Sequence, residues 1–138
     1  MIYTSFFDNL NSINSDIIPI SIAGRPPEWY EGLEYKKLAP KLSFFKVWEQ
    51  TKDNEYYIDN YNKLILDKLD IESVINDIYN KLSDTYKNKL HKENRTILDS
   101  KEVNIVLLCY EKPNEFCHRH LVRNWFNQHN IKVEEWRN

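Results

Sequence analysis

The residues best suited to chemistry lie in one short segment, from Cys109 to His120, which contains both cysteines of the chain. A thiol becomes a strong nucleophile when it loses its proton, and imidazole and carboxyl groups can transfer protons near neutral pH. The segment brings these three chemical groups close together in sequence. It therefore predicts a catalytic site in which Cys117 is nucleophile or general acid, His118 and Glu111 transfer protons, and Cys109 lies beside them.

The position of this segment between two regular elements supports that prediction. An apolar run from Val103 to Cys109 predicts a buried strand. Asn114 is a favourable N-cap residue for a helix from Glu115 to His129. In that register Cys117 falls in the first helical turn. A helix N-terminus carries a partial positive charge, which stabilises a thiolate and attracts anions.

A second strand end offers a further cation. Ile17–Ile22 is β-branched and apolar on both faces, which predicts a buried parallel strand, and Ala23-Gly24-Arg25 follows it directly. Ligands of parallel α/β sheets bind beyond the carboxyl ends of the strands, so we expect Arg25 and Cys109 to open onto one crevice. The residues predicted to bind an anionic ligand there are Arg25, Arg119, Gly24 and Asn114.

Each of these residues also has an ordinary structural interpretation. Cys109 is of a type that is often a small core residue, His118 and His120 can be surface residues, and Arg119 and Arg123 can form a solvated helix face. Both cysteines and one histidine could ligate zinc. Structural zinc sites, however, usually place cysteines about two to four residues apart, so no metal site is predicted. No cofactor-binding motif is present either.

Composition limits the class of protein. The length of 138 residues predicts one domain over residues 1–138, and a content of 41% hydrophobic and 14% aromatic residues argues against a disordered chain. A net charge of -2 argues against non-specific binding of duplex DNA, and two glycines cannot build a Gly-rich phosphate loop. A small anionic ligand such as a nucleotide remains compatible. The start of the chain lacks an export signal and no apolar run is long enough for a membrane, so we expect a cytoplasmic location.

The remaining elements follow from local patterns. Ile2–Phe6 and residues 131–136 predict further strands, and Asp53 and Asp70 predict the caps of two amphipathic helices. Between residues 28 and 50 we expect two short helices broken near Pro40, and we expect the charged stretch at residues 86–101 to end in a loop. Strands and helices alternate at both ends, which predicts a small, mostly parallel sheet covered on both faces.

Two stretches resemble a known family. The order of an apolar strand, Cys109-x-Glu111 and then Cys117-His118-Arg119 opening a helix resembles the signature of the domain-of-unknown-function 488 family. The stretch at residues 20–29 is similar to its short clostridial and phage-type members, although Ala23-Gly24-Arg25 stands where many members have Asp-x-Arg. The resemblance implies a small Rossmann-like, three-layer α/β domain and brings no established reaction. The candidate functional positions that it implies are Arg25, Cys109, Glu111, Cys117, His118 and Arg119.

Three functions remain open at this point. The first is a small enzyme that acts on a phosphate-bearing or nucleotide-like ligand. The second is a non-catalytic module that binds an anion or nucleotide in the same crevice. The third is an interaction protein whose cysteines are only structural. Thiol reactivity separates the first from the third, and turnover of a bound nucleotide separates the first from the second. The sequence does not determine the oligomeric state.

Overall fold

A computed structural model describes residues 1–82 and 103–138. The strands are β1 (Ile2–Phe6), β2 (Ile17–Ser21), β3 (Leu33–Glu34), β4 (Asn104–Cys109) and β5 (Val133–Glu135). The helices are α1 (Leu42–Thr51), α2 (Asn54–Leu64), α3 (Ile71–Lys81) and α4 (His118–Gln128). Short 3₁₀ turns cover Phe7–Ser12, Lys36–Leu38 and Leu66–Lys68.

The five strands form one parallel sheet in the order β3-β2-β4-β1-β5. Strand β4 lies at its centre, where Ser21 of β2 pairs with Leu108 and Phe6 of β1 pairs with Cys109. A central strand is shielded on both faces, which explains why β4 is a continuous apolar run. Because the strands are parallel, the ends of β2 and β4 meet at the same edge of the sheet.

Both faces of the sheet are covered by other parts of the chain, as predicted. Alternate β4 residues point to opposite sides, so that Ile105 and Leu107 pack under the helices while Val106 and Leu108 pack under the 3₁₀ turn after β1 and nearby loops. The helical side contains the larger core, and its helix contribution includes Phe44, Tyr57, Tyr61, Val74, Ile78, Val122 and Phe126. The architecture is that of a small Rossmann-like α/β domain.

The two helix starts predicted from aspartate are confirmed. Asp53 accepts a hydrogen bond from the Tyr56 backbone N–H at 3.1 Å, and Asp70 accepts one from the Ser73 N–H at 3.1 Å. Each bond satisfies a donor that has no partner within the first helical turn. The caps therefore fix where α2 and α3 begin, and α2 in turn carries Tyr57 to the edge of the sheet where the candidate site lies.

The region between residues 28 and 50 differs from the prediction. In place of a first helix the chain forms β3 and a 3₁₀ turn, and only α1 is helical. A strand of two residues is too short to show alternation, so it had no recognisable pattern. The loop expected at residues 86–101 lies outside the described residues. None of the helices in the described part of the chain has the length and apolarity needed to span a bilayer.

Candidate functional site

A cavity of about 500 Å³ opens at the edge of the sheet where β2 and β4 end. Arg25 and Cys109 both line it, as expected for residues that follow parallel neighbouring strands. The sheet, α1, α2 and the turn before α4 together enclose the space. The full lining consists of Ala23, Gly24, Arg25, Pro40, Leu42, Phe45, Trp48, Tyr57, Cys109, Tyr110, Glu111, Phe116, Cys117 and His118.

The four predicted catalytic side chains come together in this cavity. The Cys109 sulfur lies 3.6 Å from a carboxylate oxygen of Glu111 and 3.4 Å from Nδ1 of His118. The sulfur atoms of Cys109 and Cys117 and a ring nitrogen of His118 all lie within 4.8 Å of one another. Both cysteines and His118 are buried, so their interactions are poorly screened by water.

The imidazole of His118 is held in one orientation. Its Nε2 lies 2.8 Å from the backbone carbonyl oxygen of Ile22, the residue that follows β2. A carbonyl oxygen can only accept, so Nε2 must be the donor and must carry a proton. Nδ1 then faces the Cys109 sulfur at 3.4 Å. The ring is therefore held beside the thiol pair in a fixed orientation.

The pKa values of the two thiols shift in opposite directions. Burial opposes charge on the Cys117 sulfur, but hydrogen bonds from Cys109 and His118 and the positive charges of His118 and Arg119 outweigh it and lower the pKa of Cys117. The hydrogen bond to Cys117 raises the pKa of Cys109, and burial and the neighbouring negative charge raise it further. Cys117 is consequently the thiolate of the pair, and Cys109 keeps its proton and donates it in a hydrogen bond.

Glu111 is an acid that can titrate near physiological pH. Burial, followed by the negative charge of Cys117 and a hydrogen bond with it, raises the pKa of Glu111 to about 6. A carboxyl group with that pKa is still partly protonated near neutral pH, unlike an exposed glutamate. Glu111 can therefore both donate and accept a proton beside the Cys117 thiolate.

The predicted cap and start of the last helix are wrong. The chain closes a turn with a bond from the Glu115 N–H to the Lys112 carbonyl at 3.0 Å, and Asn114 lies exposed in that turn, outside the cavity lining. Helix α4 begins at His118, with Cys117 as its N-cap residue. Cys117 therefore precedes the first turn, and its acidity comes from Cys109 and His118 more than from a position inside the helix.

The expectation that Arg119 faces the crevice is also wrong. Its side chain has no exposed surface and forms a two-point pair with Glu135, with Nε–Oε1 at 3.1 Å and Nη2–Oε2 at 2.8 Å. Nη1 donates to the backbone carbonyl of Glu111. Thr4 donates a further hydrogen bond to Glu135 at 2.6 Å. Because these acceptors use its donors, Arg119 ties α4 to β5 and to the turn after β4 and does not line the cavity.

Arg25 and Gly24 do lie where the prediction placed them, among the lining residues. Arg25 is exposed, and its backbone carbonyl accepts a hydrogen bond from the Tyr110 hydroxyl. A side chain built onto Gly24 would meet no atom within 4 Å, so its backbone borders open space. Tyr110 packs edge-on against Phe7 with ring centroids 4.9 Å apart. Arg25 is thus an exposed residue of the cavity lining.

An aromatic wall was not foreseen from the sequence. Trp48 of α1 lies 5.6 Å from Phe116 and 6.0 Å from Phe45 between ring centroids, and Tyr57 of α2 packs edge-on against Phe116 at 5.0 Å. The indole N–H of Trp48 donates to Asn54 at 2.9 Å, which fixes the ring. Phe45 and Trp48 are three residues apart and so lie on one face of the helix. That spacing is the sequence feature from which the wall could have been predicted. The wall gives the cavity an apolar aromatic surface.

The same cluster offers three metal-ligating atoms. Cys109, Cys117 and His118 lie close enough in space to share one ion, although they are too far apart along the chain for a usual zinc knuckle. The hydrogen bond from His118 Nε2 to a backbone carbonyl is also common among metal-binding histidines. The expectation of a metal-free thiol site stays a prediction, and elemental analysis tests it directly.

Comparison with known proteins identifies one family. The profile of the active DUF488-N3 subclade matches residues 15–130. The match includes both strand ends that form the cavity, and also Cys117 and His118. No curated protein and no solved structure matches the chain.

Proposed function

The chain belongs to the DUF488 family, and on that premise we propose that it is a small enzyme that acts on a phosphate-bearing or nucleotide-like ligand. The observation that carries the proposal is the pairing of an acidic thiol, Cys117, with the protonated thiol of Cys109 and the oriented ring of His118 on one cavity wall. Paired groups with opposite acidities are typical of catalytic sites.

The residues divide the proposed chemistry between them. The Cys117 thiolate attacks an electrophilic atom of the ligand, the bond from that atom to its leaving group breaks, and the carboxyl group of Glu111 protonates the leaving group. The Glu111 carboxylate then takes a proton from a water that attacks the same atom, which releases the product and restores the Cys117 thiolate. Cys109 donates its hydrogen bond to the Cys117 sulfur and thereby keeps it ionised. His118 positions both sulfurs, since its ring is anchored on the Ile22 carbonyl. Arg119 acts at a distance as a positioning residue, because it holds the Glu111 backbone.

The shape and lining of the cavity support the ligand class. A volume of about 500 Å³ lies within the range of roughly 300–1,000 Å³ usual for small-molecule sites. The aromatic wall around Trp48 suits a flat ring, and Arg25 is an exposed arginine of the lining. An arginine can form two parallel hydrogen bonds with a phosphate group. A ring joined to a single phosphate, as in a nucleoside monophosphate, would use both features.

A non-catalytic binding module is the second candidate. The observation in its favour is that the aromatic wall and Arg25 could hold a nucleotide without any contribution from the thiols. The two candidates differ in one respect. An enzyme changes its ligand and loses that activity when Cys117 is replaced, whereas a module binds the ligand unchanged and keeps its affinity.

Turnover assays on the purified chain separate the candidates. The wild type, Cys117→Ser and Arg25→Ala are incubated with a set of nucleoside monophosphates, and products are resolved by chromatography. We expect a product with the wild type, none with Cys117→Ser, and a raised KM with Arg25→Ala. Arg123→Ala is the matched control, because this arginine of α4 lines a different groove of the surface. Equal turnover by Cys117→Ser would contradict the catalytic proposal, and unchanged ligand with saturable binding would favour the module.

A further inference from the structure

The two cysteines form a pair whose geometry has a second consequence. They are the only cysteines among the 138 residues, both are buried, and both line the cavity. Their sulfur atoms lie within 4.8 Å of each other, although an exposed turn separates the two residues in sequence. A disulfide requires sulfurs about 2.05 Å apart, so these two neighbouring thiols must still approach each other before they can be joined.

We propose that Cys109 and Cys117 form a hydroperoxide-reactive modification site, in which Cys117 is oxidised first and Cys109 then closes a reversible intrachain disulfide. The inference depends on the thiols alone and not on the ligand of the proposed enzyme. It would hold for an enzyme and for a binding module alike. The cavity admits a reactant as small as hydrogen peroxide to both sulfurs.

The two sulfurs have the different characters that this sequence of steps requires. Cys117 is the N-cap residue of α4, where the helix N-terminus favours a thiolate, and hydrogen bonds from Cys109 and His118 favour it further. The thiolate is the form that attacks a peroxide. The Cys109 sulfur lies 3.6 Å from a carboxylate oxygen of Glu111 and 3.4 Å from Nδ1 of His118. The Glu111 carboxylate can take the Cys109 proton when Cys109 attacks in the second step and can pass it to the departing hydroxide. We therefore expect the peroxide to oxidise Cys117 first, and Cys109 then to attack the oxidised Cys117 and form the disulfide.

The chemical steps balance in atoms and electrons. The Cys117 thiolate attacks the terminal oxygen of the hydroperoxide, the O–O bond breaks, and the alkoxide or hydroxide leaves and is protonated to an alcohol or water. Cys117 is then a sulfenic acid. The Cys109 sulfur attacks the Cys117 sulfur, the S–O bond breaks, and hydroxide leaves as water after taking the Cys109 proton. The two thiols lose two electrons and the hydroperoxide gains them.

The fold allows the remaining approach of the sulfurs. Cys109 is the last residue of β4, and Cys117 precedes α4, so neither is locked inside a helix. The turn between them is exposed from Lys112 to Glu115. A rotation of the Cys117 side chain together with a shift of this turn can bring the sulfurs into bonding distance. The disulfide would consume the thiolate and break the contact of Cys109 with His118.

The test is titration of the reduced full chain with hydrogen peroxide, followed by intact mass and thiol labelling. In the wild type we expect the loss of two hydrogen atoms, loss of both free thiols and full recovery with dithiothreitol. Cys109→Ser should stop at a Cys117 sulfenic acid that dimedone traps, and Cys109→Ala serves if the serine variant is unstable. Cys117→Ser should react at least about tenfold more slowly, because burial and the negative charge of Glu111 still favour the protonated form of Cys109.

Several outcomes would overturn the inference. One is a wild type in which Cys117 is oxidised while Cys109 stays a free thiol. Another is a dimer linked between chains on a non-reducing gel. A third is a Cys117→Ser variant that consumes peroxide as fast as the wild type. None of these results depends on nucleotide turnover, so failure of this inference and failure of the proposed function are distinguishable.

Discussion

The buried pair of Arg119 and Glu135 permits a quantitative prediction about stability. Arg119→Ala removes a side chain with no exposed surface and leaves the Glu135 carboxylate, whose side chain is 12% exposed, without its two-point partner. The Glu111 carbonyl loses a donor in the same change. Removal of one partner from a buried ion pair costs about 3–5 kcal/mol, because an uncompensated charge remains in a poorly solvated site. We expect Arg119→Ala to lose that much free energy of unfolding.

The matched control lies at the same strand, β5. Lys132 and Glu134 also form an ion pair, at 3.1 Å, but their side chains are 70% and 49% exposed. Pairs of this kind contribute about 0–1 kcal/mol, since water solvates both partners when the pair is broken. Lys132→Ala should therefore leave the free energy of unfolding almost unchanged. The two variants differ in burial while sharing the loss of one cation near β5.

Urea denaturation followed by circular dichroism measures both variants. Domains of this kind have a total stability of about 5–15 kcal/mol, so Arg119→Ala can be largely unfolded without denaturant. Arg119→Lys then provides the measurement, because lysine keeps the charge but lacks the planar fork that fits a carboxylate. Its stability should lie between those of the wild type and the alanine variant. If Arg119→Ala costs no more than Lys132→Ala, the pair does not anchor the turn after β4.

Three further predictions concern the contents and titration of the cavity. Phosphate should raise the melting temperature of the wild type and of Arg123→Ala but not of Arg25→Ala, and an equal response in all three would exclude Arg25 as the anion site. Purified protein should contain well under one equivalent of zinc and keep its melting temperature in chelator, whereas stoichiometric zinc that is lost together with stability would replace the thiol site by a metal site. The pKa of Glu111, raised to about 6, predicts that turnover falls as pH rises through that value, because the protonated carboxyl is the proton donor. Glu111→Gln should abolish that limb of the pH profile, and an unchanged limb would assign it to another group.

The elements predicted best were those specified by local residues. The β-branched and apolar runs of β1, β2 and β4 identified three strands, and Asp53 and Asp70 located two helix starts. These signals act over a few residues and need no knowledge of packing. Parallel pairing followed from the alternation of elements, and it brought Arg25 and Cys109 to the same cavity.

The parts predicted wrongly depend on contacts between distant residues. Arg119 reads in sequence as a cation beside a helix start, but its role is decided by Glu135, which lies on another element. Asn114 has a strong intrinsic preference for the cap position, yet the turn closed at Glu115 delays the helix. The orientation of His118 likewise rests on the Ile22 carbonyl. Contacts of this kind, between residues far apart in sequence, produce no periodic pattern in the sequence.

The central claim is that Cys117 is an activated thiol and Cys109 is not. The most direct measurement is the rate at which iodoacetamide labels each cysteine of the native protein near neutral pH, resolved by mass spectrometry of peptides. We predict that Cys117 reacts much faster and that Cys109 reacts mainly after denaturant is added. Cys117→Ser should remove the fast phase while the circular dichroism spectrum stays unchanged. Equal and slow labelling of both cysteines in the folded wild type would contradict the account.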